Sequence, residues 1–101
     1  MTTKSQPSPA RRQVSVERVQ TGLRLEKRLL KVSKALADSL DLTLGDLVEG
    51  VLLHALEGKA PFSATTLARA AQLREVFGLD LRAADAHHLS ERPTPAARRR
   101  A

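Results

Sequence analysis

Residues 18–40 read RVQTGLRLEKRLLKVSKALADSL, and the apolar period changes inside that stretch. From Arg18 to Leu25 the residues alternate: Val19, Thr21, Leu23 and Leu25 fall on one face, Arg18, Gln20, Gly22 and Arg24 on the other. Period-two alternation predicts a half-buried strand with a basic, polar outer face. After Leu25 the spacing becomes helical, with Leu25, Leu29, Val32 and Leu36 recurring by four, three and four. Glu26 is a poor N-cap type, but it puts negative charge where the helix dipole favours it. The helix is expected to stop near Leu40-Asp41, where Asp adopts a left-handed turn less readily than Gly.

Working outward, Thr43-Leu44-Gly45-Asp46 reads as an N-cap with an acid three residues on, a variant of the capping box. It opens a second helix from Leu44 to about Glu57, ended by Gly58, whose apolar stripe holds Leu44, Leu47, Val48, Val51, Leu52, Ala55 and Leu56. One strand cannot satisfy its own ladder, and two such helices cannot bury two broad stripes between them. A second copy of the chain is the simplest repair, which predicts an obligate homodimer. Beyond Gly58-Lys59-Ala60-Pro61, Ser63 or Thr65 is placed to cap a third helix running to about Phe77, with Leu67, Ala70, Leu73 and Phe77 on one face. Gly78 closes it, and a short fourth helix is expected over Arg82–Ser90.

Composition sets the outer bounds. The chain has 101 residues with 17 Leu, 15 Ala and 7 Val, but no Ile, Trp, Tyr or Cys and only two Phe. A short chain without bulky aromatics buries little area per residue, which again favours oligomerisation. The absence of Cys excludes a disulfide framework and Cys-type zinc sites, and fits a reducing compartment, so a cytoplasmic location is expected. No apolar run is long enough for a membrane span or a signal peptide.

The net charge of +6 is unevenly placed: residues 1–31 carry +6, residues 32–60 carry −3 and residues 61–101 carry +3. A basic front and tail around an acidic middle point to a polyanion engaged through the ends. The organisation expected is a disordered basic arm over 1–17, a folded domain over 18–58, a helical extension over 59–91 and a disordered basic tail over 92–101. Arg11 and Arg12 in the arm are assigned to phosphate contacts that ignore sequence and steepen the salt dependence.

Strand, helix, short turn and helix, with a basic strand face, together resemble the ribbon-helix-helix DNA-binding family. Gln20-Thr21-Gly22-Leu23-Arg24-Leu25, the Leu29/Leu30/Ser33/Leu36/Ala37 run, the Leu40-Asp41-Leu42-Thr43 turn and Leu47-Val48 carry the resemblance. It implies a mainly α fold with one short strand, in which two intertwined chains form a two-stranded antiparallel ribbon that enters the major groove. Under that resemblance Gln20, Gly22 and Arg24 face the bases, where Arg can grip guanine and Gln adenine. Arg18 reaches a phosphate, and the amides at Leu44, Gly45 and Asp46, with the Thr43 hydroxyl, hold another at the start of the second helix. Three positions depart from the family pattern: Gly22 offers the groove no side chain, Asp41 stands where Gly is usual, and Asp46 sets a carboxylate beside the presumed phosphate.

The function these features imply is sequence-specific DNA binding by a transcriptional regulator, a repressor acting as a dimer or a higher assembly. The family's habit adds an alternative, an antitoxin that autoregulates its operon and wraps a toxin with residues 60–91, where Leu67, Leu73 and Phe77 are the partner-binding candidates. A helical adaptor that never meets DNA is the alternative from another class. Nothing resembles a catalytic constellation, since there is no Cys nucleophile and no Gly-rich phosphate loop, and no cofactor is implied. Asp85, His87 and His88 lack the further ligand that a metal site needs, so none is assigned.

Overall fold

A computed structural model describes residues 13–92. It contains three helices of equal length, α1 over Lys27–Ser39, α2 over Leu44–Leu56 and α3 over Ala64–Val76, followed by a single 3-10 turn at Ala83–Asp85. Both α2 and α3 pack on α1. The shared core is Leu36 and Ala37 of α1 with Leu47 of α2, against which Leu40, Phe62, Ala70 and Leu73 pack. Val32 and Leu79 are the other two buried apolar residues.

The ribbon-helix-helix architecture is not what the structure shows. Among the described residues there is no strand, hence no two-stranded ribbon, and the stretch from Gln13 to Glu26 runs without regular secondary structure into α1. Alternation at Arg18–Leu25 reports a segment with two unlike faces, but a strand exists only where a second segment completes its ladder. No other described segment pairs with this one, and Val19 and Leu23 of its apolar face stand in solvent. The fold is therefore mainly helical, and the third helix is part of it: Arg69 of α3 donates to the Ser39 carbonyl at 3.1 Å, at the carboxyl end of α1.

Capping explains where each helix begins. Glu26 occupies the N-cap of α1, and its Oε1 accepts the Leu29 amide proton at 2.8 Å, so this residue caps despite its poor statistical standing. Thr43 and Asp46 form the reciprocal pair expected of them: Thr43 Oγ1 accepts from the Asp46 amide at 3.0 Å, and Asp46 Oδ2 accepts from the Thr43 amide at 3.3 Å. Ser63, rather than Thr65, caps α3 by accepting from the Thr66 amide at 3.2 Å.

All three helices end by one device, the Schellman motif, in which a left-handed residue lets two amides return to carbonyls of the last turn. Asp41 (φ 59°), Gly58 (φ 73°) and Gly78 (φ 66°) hold that position. The long bonds run from the amides of Leu42, Lys59 and Leu79 to the carbonyls of Ala37, His54 and Arg74, at 2.9, 2.8 and 2.8 Å. The fourth helix expected over Arg82–Ser90 is replaced by the 3-10 turn. Asp85 Oδ2 accepts from the Arg82 amide at 2.7 Å and closes that turn, and His87 then adopts φ 68°, which no helix tolerates.

Candidate nucleic-acid interface

Among the described residues assigned to DNA, Arg18, Gln20, Gly22, Arg24, Thr43 and Gly45 are exposed and Leu44 is half-buried. Arg18 is the best fixed. Its Nε and Nη2 donate to the two carboxylate oxygens of Glu49 on α2, at 2.7 and 2.8 Å, a fork-to-fork pairing. Its Nη2 also lies 3.9 Å from Asp46 Oδ1. The hydrogen bond from Arg18 holds the Glu49 carboxyl below its ordinary value, with their opposite charges adding to the effect. By the same contact the guanidinium is held more firmly protonated.

This pairing sets the basic segment beside the first turns of α2. Thr43, Leu44 and Gly45 begin that helix, where early amides have no carbonyl one turn back to bond. The capping pair already takes two of the early amides, Thr43's by Asp46 Oδ2 and Asp46's by Thr43 Oγ1, so Leu44 and Gly45 are the ones left to meet an anion, beside a carboxylate whose other oxygen faces Arg18. At Gly45 a Cβ would meet only Thr43 Oγ1, at 3.8 Å, so packing within the chain does not require glycine.

Gln20, Gly22 and Arg24 lie along the same segment, and a Cβ on Gly22 would meet nothing within 4 Å. Arg24 is paired with Glu91, although the two side chains stay 81% and 61% exposed. Arg28, in the first turn of α1, donates to Glu26 at 3.1 Å and to the Gly78 carbonyl at 2.9 Å, and forms an ion pair with Asp80 at 3.0 Å. The sequence reading missed these carboxylate partners. Glu49 is three residues beyond Asp46 on α2, a spacing that put an acidic face in reach, but nothing in the sequence points to Glu91.

Arg11 and Arg12 lie outside the described residues, as does the tail beyond Arg92. Of the three residues assigned to a protein partner, Leu73 packs on the core, Phe77 is half-buried and Leu67 is exposed. His54 Nδ1 sits 2.7 Å from the Gly50 carbonyl, so that nitrogen carries the proton. Among the described residues no three His, Cys, Asp or Glu side chains come together as a metal site would need. Nor is any described helix long and apolar enough to cross a membrane. No protein-family model, curated protein or solved structure matches the chain.

Proposed function

We propose that this chain is a DNA-binding transcriptional regulator, a repressor that works as a homodimer in the cytoplasm. The supporting observation is the Arg18–Glu49 pairing, which holds Arg18, at the head of the segment that carries Gln20 and Arg24, against α2. In this reading the segment supplies side chains that read base edges, and the start of α2 supplies amides that donate to a phosphate. The net charge of +6 supplies the attraction that precedes reading. The DNA-facing element is an irregular basic segment plus a helix start.

The test is fluorescence anisotropy on a duplex from upstream of the protein's own gene, against a scrambled duplex, across a salt series. A preference for the native duplex that survives rising salt is expected. Arg24→Ala should remove about 1–3 kcal/mol of that preference per lost base contact. Equal binding to both duplexes that vanishes with salt would leave no sequence reading to explain.

Exposed apolar residues on the helices favour a second reading, a protein-binding module. Leu53 is 66% exposed and Leu67 55%, and Val76 also faces solvent. A toxin or another protein would then meet an α3 already folded on α1, along its Leu67 side. Loss of partner capture by Leu67→Glu, with DNA binding intact, separates this role from the first.

A further inference from the structure

Residues after α3 do not leave the molecule. Leu79 is buried, Arg74 donates to the Leu81 carbonyl at 2.9 Å, and Arg28 holds both Asp80 and the Gly78 carbonyl. The closed turn at Arg82–Asp85 and the left-handed His87 then redirect the chain. Leu89–Arg92 come to line one groove of about 810 Å³ with Leu23–Arg28, and across it Glu91 pairs with Arg24. A carboxylate from the far end of the sequence thus occupies the arginine best placed to meet a base.

We propose that residues 78–92 form an autoinhibitory strap, whose Glu91 holds Arg24 in the free protein and must be displaced by DNA. The inference rests on the DNA-binding reading above. Its physics is competition: Arg24 cannot give the Nη2 that meets Glu91 to guanine at the same time, and a carboxylate beside the binding face repels phosphate. The pair is solvent-exposed, and such pairs are weak, so a polyanion can exchange it. The base of the strap is held more firmly, by Leu79 burial and by two arginines. Displacement therefore swings Leu89–Arg92 away and leaves the three helices in place.

Full-length Glu91→Gln tests the proposal against Glu75→Gln, the same charge change on an exposed position of α3. On a labelled duplex of mixed sequence at low salt, Glu91→Gln should bind about two- to fivefold tighter than the parent, the range an exposed ion pair supports. Glu75→Gln should gain less, and the gain from Glu91→Gln should disappear in an Arg24→Ala background. Equal gains from the two variants would reduce the effect to net charge and overturn the strap. A second readout needs no DNA: the Arg24 Nη–H resonance of the free protein should move with Glu91→Gln and stay put with Glu75→Gln. An unmoved resonance means the contact does not form, and the proposal fails even if DNA binding stands. A resonance that moves while neither form binds any duplex rejects the DNA-binding reading, and the inhibitory role with it.

Discussion

Glu26 performs two tasks at the start of α1. Its Oε1 takes the Leu29 amide and its Oε2 takes Arg28, so both carboxylate oxygens are engaged. The Leu29 amide, helped by Arg28, holds this carboxyl below its ordinary value of 4.5 against a smaller opposing effect of burial. A carboxyl whose folded value is depressed adds stability that is complete above the unfolded value. That stability is lost as pH falls through the folded one. Glu49, depressed by Arg18, acts in the same direction. Stability should therefore hold at neutral pH and decline as the solution is acidified below 4.5. Glu26→Gln keeps an acceptor but loses the charge at the positive end of the helix, which should cost about 0.3–1 kcal/mol at neutral pH. The difference between variant and parent should vanish once the parent's Glu26 is protonated. Urea midpoints of both proteins across the acid range check this, and a gap that stays constant with pH would show that the charge plays no part.

At the scale of elements, the three helix ends ask for the same left-handed residue and only two of them have glycine. Asp41 meets the requirement at φ 59°, where an L side chain crowds its own backbone. Asp41→Gly removes that crowding, offset in part by the greater freedom glycine has in the unfolded chain. The net gain should be about 0.5–1 kcal/mol, seen as a higher urea midpoint with an unchanged slope. A lower midpoint would mean that the Asp41 carboxylate contributes more than its strain costs. These ends also show what the sequence makes legible. Thr43, Ser63, Gly58 and Gly78 are local signals, each acting over a few residues, and the bounds of α2 and α3 follow from them. Leu40-Asp41-Leu42 and Leu79-Asp80-Leu81 share residue types but not a structural place, because the residue equivalent to Asp41 at the end of α3 is Gly78. That Arg18–Leu25 forms no strand was not legible, since alternation describes one segment and a ladder belongs to two. The candidate interface was half legible. Gln20 and Arg24 show in the pattern, but their surroundings depend on contacts between residues 31 apart for Arg18–Glu49 and 67 apart for Arg24–Glu91.

The molecule as a whole has a thin core. Among the described residues the buried apolar ones are Val32, Leu36, Ala37, Leu47 and Leu79, and no side chain is completely buried. Chains of this size are marginal even when well packed. Here the outer half of α2 is spent on solvent: Leu52, Leu53 and Leu56 are all exposed, Leu56 by 83%. Leu52 and Leu56 lie one helical turn apart and so share a face, and with Leu53 between them they make an apolar patch at the end of α2. A homodimer built on this patch would restore the missing burial, and by two-fold symmetry each leucine would count twice. Fully burying a leucine is worth about 1.5–3 kcal/mol, so Leu56→Glu in both copies should weaken association by at least about two orders of magnitude. Sedimentation equilibrium over a concentration series measures it directly: the parent should sediment as a dimer and the variant as a monomer at the same concentration. A parent chain that sediments as a monomer throughout would end the dimer proposal. A variant that dimerises as tightly as the parent would move the interface away from α2, toward the exposed Val14, Val16, Val19 and Leu23. The DNA reading depends on the outcome, because a monomer offers one Gln20 and one Arg24 to a duplex, whereas a dimer offers two of each at a fixed spacing.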